Sequence, residues 1–502
     1  MLATFMEVLD STVVNVSLPH IAGSLAADVD QSTWVLTSYL VSNAIVLPAT
    51  GWFSSVFGRK RYYMASVVIF VVSSFLCGLA PSLMSLIVFR VLQGLGGGAL
   101  QPISQAVLLE CYPRRQRGIG MAIFGIGVVF APIIGPTLGG WLTDQYTWRW
   151  IFYINIPIGI LALVMSHIYV VDPPYLQRGV VKMDYIGLGL LALSIGALQI
   201  VLDTGQRHDW LQTDWIVQLT LVAIVGLIVL LIWEWYSEHP IIDLRVLKIP
   251  NFPSGVLLMF MVGVALYSSS VLQPLFAQSL LGYTAMLSGL ALSPGGVGTL
   301  VFMPLVGSLV DKWNPRYLIM AGFLLAAISL YKMSQYTLDI SFWQLAYPRI
   351  YLGVGLAFLF VPLATAAFAF VPSERTGAAT GIFNLLRNIG GSFGIAAATT
   401  ALANRAQFHQ FRLVENVTPF SPGYISWHAS AVSTLTASGQ SQDAANQTAL
   451  ALVYQTVQVQ ANLMSFVDTF WMAAVLMLVL IPFALLLKKL PRHDEPIDAD
   501  NA

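Results

Sequence analysis

The first apolar run of this 502-residue chain carries two carboxylates, Glu7 and Asp10. They are three apart, so a helix presents both on one face. An ionisable group deep in a bilayer is costly, and each one found inside an apolar run is a functional candidate by default. Arg90, Arg349 and Arg387 pass the same test, whereas Glu110 and Asp468 fall at the ends of runs and are expected at the membrane interface. The seven histidines, His20, His167, His208, His239, His409, His428 and His493, are too scattered to form a catalytic or metal-binding group. No Gly-rich loop ending in Lys-Ser/Thr is present to cradle nucleotide phosphates. No cofactor and no metal is expected.

These candidates are rare because the chain is apolar: 57% hydrophobic and 10% charged, with a mean hydropathy of +0.75. That composition excludes a soluble domain and demands a lipid bilayer. Lys plus Arg equals Asp plus Glu at 24 each, which gives no support to nucleic-acid binding. Cys77 and Cys111 belong toward opposite faces of the bilayer, so no disulfide framework is expected. The run beginning at Met1 lacks a basic leader and a small-residue cleavage site, and is expected to be a retained span.

A bilayer core needs about 20 apolar residues as helix. Fourteen runs meet that reading, near 1–21, 33–57, 62–80, 84–109, 118–141, 150–171, 184–202, 214–235, 253–277, 285–310, 315–335, 343–370, 376–402 and 463–487. Connections on one side hold Arg59, Lys60, Arg61, Arg114, Arg115, Arg117, Arg178, Lys182, Arg245, Lys248, Lys312, Arg316, Arg375, Lys488, Lys489 and Arg492. The other side has Arg149, Arg207, Lys332, Arg405 and Arg412. The positive-inside rule then makes both termini cytoplasmic. The polar connection 403–462 falls outside, with helix expected over Ala444 to Leu463.

The halves echo each other at an offset of about 256 to 259 residues. Pro48-x2-Gly51 recurs as Pro304-x2-Gly307, Arg90-x3-Gly94 as Arg349-x3-Gly353, and the stretch from Gly118 as that from Gly377. Spans 7 and 8 have no counterpart. The expected plan is an all-α polytopic protein: a six-span bundle over 1–171, a linker with two inserted spans over 172–252, a second six-span bundle over 253–487, and a tail over 488–502. Parallel repeats of this kind hold a substrate site between the halves and open it alternately to each side.

The loop Gly51-Trp-Phe-Ser-Ser-Val-Phe-Gly58-Arg59-Lys60-Arg61 resembles the signature loop of the major facilitator superfamily. The family's acidic position is Ser55 here, so the resemblance carries no charge relay in this half; the second copy has Asp311. Ala131-Pro132-Ile-Ile-Gly135-Pro136-Thr-Leu-Gly139-Gly140 resembles the antiporter motif of drug exporters. Gly135 and Gly139 make a smooth stripe for a neighbouring helix. Phe5 to Pro19 and Trp148 to Gly159 resemble the fourteen-span drug:proton antiporters, and from Leu2 to the last span the chain is similar to EmrB-type inner-membrane pumps of tripartite efflux systems. The major facilitator fold is therefore the expected fold.

That resemblance implies a proton-coupled exporter of hydrophobic drugs in a bacterial inner membrane, working with a periplasmic adaptor and an outer-membrane channel. It places spans 1, 4, 9 and 12 around a central cavity, making Asp10 and Arg90 neighbours. Asp10, Glu7 and Arg90 are then the expected proton-coupling group, with Asp10 essential and Glu7 setting charge preference; a fixed Asp10–Arg90 brace is the competing reading. Asn15, Tyr39, Gln93, Gln101, Tyr267, Gln273, Phe276 and Arg349 are the expected cavity lining. Gly51, Gly58, Arg59, Lys60 and Asp311 are the expected inner gate. An exporter or uptake carrier for one metabolite is the alternative function.

Overall fold

The structure, a computed structural model, describes residues 1–113, 116–173, 184–238, 240–310 and 312–488. Asp311, Arg114, Arg115, Arg178, Lys182, His239, Lys489, Arg492, His493 and the expected tail from 489 lie outside the described residues. Within them every regular element is helical. The first half comprises α1 (Leu2–Ser24), α2 (Val29–Ser32), α3 (Trp34–Phe57), α4 (Arg59–Leu79), α5 (Leu83–Gly97), α6 (Leu100–Cys111), α7 (Arg117–Gln145), α8 (Trp150–Tyr153) and α9 (Asn155–Tyr169). An inserted pair follows, α10 (Tyr185–Thr204) and α11 (Asp214–Tyr236). The second half comprises α12 (Phe252–Ser279), α13 (Ala285–Leu309), α14 (Pro315–Met333), α15 (Phe342–Ala346), α16 (Pro348–Ala367), α17 (Thr376–Val414), α18 (Pro422–Ala437) and α19 (Gln442–Leu480).

The repeat read from the sequence is a repeat of packing. In the first half α1 lies on α7 and α9, α5 on α3 and α4, and α4 on α9; in the second α12 lies on α17 and α19, α16 on α13 and α14, and α14 on α19. Even the helix starts correspond. Ser82 and Ser85 form a capping box at the head of α5, and Ser341 and Gln344 form one at the head of α15. Each satisfies backbone N–H groups that a helix start leaves open.

The expected span at 84–109 is broken into α5 and α6 by Gly94-Leu-Gly-Gly-Gly98. A glycine run weakens a helix, and here it admits two neighbours. A methyl at Gly94 would sit 2.5 Å from Tyr39 O on α3, and one at Gly96 2.8 Å from Ser66 O on α4. The matching glycine in the second half is as closely packed, because a methyl at Gly353 would run into Gly295 O on α13. Gly353→Ala is expected to cost about 1–3 kcal/mol, the usual range for overpacking. Gly189→Ala on α10, with nothing within 4 Å of the added carbon, should leave the midpoint unchanged or raise it. Thermal unfolding in detergent checks both.

The halves meet through α7 on α13 and α3 on α17, again related by the repeat. Glycines set the approach. A methyl at Gly118 would lie 2.5 Å from Gly307 O, and one at Gly51 would lie 2.9 Å from Ala378 N. Farther along α7, Gly296 faces Phe130 and Ile133, and Gly289 faces Thr137. The α7–α13 seam is therefore packed from one end to the other. The inserted pair stands beside the second seam, where α10 touches both halves: Asp203 accepts from Thr37 on α3, and Gln199 donates to Ser392 on α17 at 2.6 Å.

Two expectations change. Twelve helices among the described residues are long and apolar enough to cross a membrane, and α1 and α17 are not among them. A count of fourteen is not reached on length and apolarity, because these two helices carry the polar residues: Glu7, Asp10, Ser11, Thr12 and Asn15 on α1, and Asn384, Arg387 and Asn388 on α17. The connection 403–462 is also far more helical than expected. Both α17 and α19 run 39 residues, about 58 Å at 1.5 Å per residue, against a hydrocarbon core of about 30 Å. They project together, and α18 folds back on α19 around Val432, Ala445 and Ala449.

Candidate functional site

Asp10 stands at the centre of a buried cluster within the first half. Its Oδ2 accepts from Arg90 Nη1 at 2.5 Å, and its Oδ1 from Gln93 Nε2 at 2.9 Å and Asn155 Nδ2 at 2.7 Å. Arg90 also donates through Nε to Val35 O at 2.9 Å, and its guanidinium lies 4.1 Å over the Tyr39 ring. Neither side chain of the ion pair is exposed. The cluster ties α1 to α3, α5 and α9. Such a pair is strongly destabilising to break from one side only.

Glu7, one turn earlier on α1, is held differently. Its Oε1 accepts from Tyr39 Oη at 3.1 Å and Asn43 Nδ2 at 3.0 Å, and its Oε2 from Gln101 Nε2. All three partners are neutral. Gln101 Oε1 in turn accepts from Arg387 Nη2, so one amide separates an acid of the first half from a cation of the second. Four residues along α6, Gln105 accepts from Asn384 Nδ2 at 2.6 Å. The polar centre therefore spans the junction of the halves.

The expected cavity residues are only partly brought together. Tyr39, Gln93 and Gln101 line the two carboxylate sites. Arg349 repeats the place of Arg90 but meets no acid among the described residues: it donates to Gln273 and to Ser269 O, and Gln273 donates to Leu345 O at 2.7 Å. Tyr267 packs on α17 at Gly391, near Arg387. Asn15 is exposed on α1. Phe276 is displaced from the expected lining, because its ring is enclosed within the second half by Tyr336 at 5.3 Å and Phe466 at 5.4 Å. Three helical residues beyond Gln273, it faces the turn after α14, at Tyr336, and α19.

The loop between α3 and α4 turns at Gly58, whose φ of 83° suits glycine. Arg59 then forms a bidentate pair with Glu110 at the end of α6, at 2.6 and 2.9 Å. Lys60 donates through Nζ to His167 O near the end of α9 at 2.6 Å, and its backbone N–H to Asp172 at 2.7 Å. Glu110 was not legible as a partner, since it sits at the end of an apolar run. Along α7, Pro132 and Pro136 lie inside one continuous helix. Gly135 faces Thr12 and Gly139 faces Val13 on α1, and Gly140 is buried. Arg59→Lys should lose the forked contact that only a guanidinium makes. The expected outcome is faster labelling of cysteines placed at this end of the junction, with insertion into the membrane unchanged.

Comparison with known proteins agrees with this architecture. The chain is 38% identical to the multidrug export protein EmrB of Escherichia coli (strain K12) over 482 residues, 96% of this chain and 92% of that one. It is 36% identical to the fatty acid resistance protein FarB of Neisseria gonorrhoeae over 491 residues, 97% of this chain and 94% of that one. Among solved structures, the proton:xylose symporter XylE superposes with a TM-score of 0.57 at 15% identity, over 97% of this chain and 98% of that one, a likeness of fold alone. The profile of the Major Facilitator Superfamily matches residues 1–395. Two halves of repeated packing, joined along glycine seams around a buried polar centre, are thus accounted for by descent: the chain belongs to the Major Facilitator Superfamily.

Proposed function

We propose that the protein exports hydrophobic, drug-like molecules across a bacterial inner membrane in exchange for protons, by alternating access between its two halves. The relatives named as multidrug export proteins support the export of drugs. Proton exchange rests on one observation: Glu7 is a buried carboxylate held by neutral donors, one amide away from a guanidinium of the opposite half. A carboxylate so placed can gain and lose a proton without breaking a direct ion pair. The seams closed along α7 and α13 fit a state between the two open ones. In this reading α1 and α17 also cross the membrane, giving fourteen spans with both termini cytoplasmic and the projecting hairpin outside.

The test is export from proteoliposomes. Accumulation of a fluorescent hydrophobic cation should follow an imposed proton gradient and stop when the gradient is dissipated; transport indifferent to the gradient would end the antiport reading. The projecting α17–α18–α19 hairpin is the proposed seat of a periplasmic adaptor leading to an outer-membrane channel. Replacing α18 by a short linker should leave vesicle transport within about twofold and abolish resistance in whole cells, since α18 packs chiefly on the projecting part of α19, around Val432, Ala445 and Ala449. Equal loss in both would give the hairpin a structural role.

A further inference from the structure

Two polar rungs, four residues apart on α6, cross from the first half to α17. The Gln105–Asn384 rung joins two neutral amides. The Gln101–Arg387 rung is different, because Gln101 is held from its other end by Glu7. A guanidinium can only donate and an ionised carboxylate can only accept, so the amide orientation is dictated at both ends. The carbonyl must face Arg387 and the NH2 must face Glu7.

A proton on Glu7 Oε2 changes that. The oxygen that accepted from Gln101 now carries an O–H, and two donors face each other. Gln101 can meet the new donor only by turning its oxygen toward Glu7, which aims its NH2 at Arg387. Either way one of the two contacts fails. Arg387 cannot absorb the loss. It is fully buried, its Nε and Nη1 have no partner among the described residues, and its other contact is Asn388 on its own helix at 3.1 Å. A buried cation left in that state is relieved by water, and water reaches it when α6 and α17 part.

We infer that Gln101 carries the charge state of Glu7 to Arg387, so that protonation of the first half releases its mid-membrane contact with the second. The inference rests on the proton-antiport reading and names the element that would couple the proton to movement. Gln101 is a positioning residue in this scheme. The other groups facing Glu7 are Tyr39 and Asn43 from α3, Arg387 from α17 and Tyr267 of α12 beside it. On α1 itself Asp10 is taken up by Arg90, while α7 faces α1 with Gly135 and Gly139 and α9 with Asn155 and Gly159.

The experiment measures the distance between spin labels at Phe57, at the end of α3, and Glu374, just before α17, both exposed. A Cys111→Ser background removes the exposed native thiol; Cys77 is buried. Samples are frozen from mildly acidic and mildly alkaline buffer. Wild type should show two distance distributions that exchange with pH. Glu7→Gln should show the acidic distribution in both buffers. Gln101→Met, which keeps Glu7 but cannot relay, should lose the pH response. In the double variant Glu7→Gln/Gln101→Glu the acid sits directly against Arg387, and the response should return. A purely structural Gln101 would not give that rescue. A wild-type response retained in Gln101→Met, or no rescue in the double variant, overturns the relay. Proteoliposomes separate the two readings: if a gradient drives wild-type export and Gln101→Met exports at the same rate, the relay alone fails. If the gradient drives nothing in wild type, the antiport reading fails and the relay with it. The expected result is a fall in gradient-driven export of at least about tenfold in Gln101→Met, a change of about 1.4 kcal/mol.

Discussion

Asp10→Asn is expected to destabilise the protein by about 3–5 kcal/mol, and adding Arg90→Gln to recover most of that loss. The substitution retains size and much of the hydrogen bonding to Gln93 and Asn155, but it strips the counter-charge from a guanidinium with no exposed surface. Removing both charges leaves two neutral side chains among amides and the Val35 carbonyl, which the same surroundings can satisfy. Residues in one network usually couple by about 0.5–3 kcal/mol in double-mutant cycles, and this pair should exceed that range, because each single variant leaves one buried charge unpaired and the double variant leaves none. Thermal unfolding in detergent, for wild type, both single variants and the double variant, measures the coupling. A single Asp10→Asn variant as stable as wild type would show that the pair does not brace α1 against α5. The cycle also bears on transport: loss of export in Asp10→Asn alone does not separate a missing proton carrier from a damaged bundle. Export retained in the double variant would place the travelling proton elsewhere than Asp10.

That distinction marks where the sequence could be read and where it could not. Charges inside apolar runs are conspicuous, so Glu7, Asp10, Arg90, Arg349 and Arg387 were all visible as candidates. Their pairing was not, because helical spacing places Glu7 and Asp10 on one face without saying that Arg90 meets only the second of them. Gln101, Gln105 and Asn384 carry the junction, yet a lone amide in an apolar run looks the same whether it spans two halves or caps a neighbouring carbonyl, as Gln273 does. Arg349 shows the same limit: the repeat predicted its place from Arg90, but the acid at Asp10 has no counterpart beside it. The glycines fared better. Gly51 and Gly307 stood out as repeated, and in the fold each approaches the other half, at Gly377–Ala378 and at Gly118. The length of α17 and α19 was hidden by composition, since segments rich in Ala, Gln, Ser and Thr are polar enough to pass for a loop while still favouring helix through Ala and Gln.

Glu7→Gln is expected to abolish the release of protons that accompanies substrate binding while leaving affinity within about tenfold, or about 1.4 kcal/mol. The amide fits the same place, since Tyr39 can turn its hydroxyl to suit it and no direct ion pair is lost, while turning Gln101 to meet it gives up the Gln101–Arg387 contact as a proton on Glu7 would. What disappears is the capacity to bind a proton beside the junction. The result separates two assignments that the spacing of Glu7 and Asp10 leaves open. If Asp10 carries the proton and Glu7 only sets charge preference, Glu7→Gln should release protons as wild type does and shift selectivity away from cationic compounds. If Glu7 carries it, release should vanish for every substrate, and gradient-driven export with it, whatever the charge of the compound. The measurement is the pH change in weakly buffered detergent solution on adding a hydrophobic cation and then a neutral compound, with affinity followed in parallel by tryptophan quenching. Undiminished release with the neutral compound would sink the assignment to Glu7. Release lost with both, at near wild-type affinity and thermal stability, would fix the travelling proton on the carboxylate that faces the opposite half, leaving Asp10 and Arg90 as the brace that holds its helix in place.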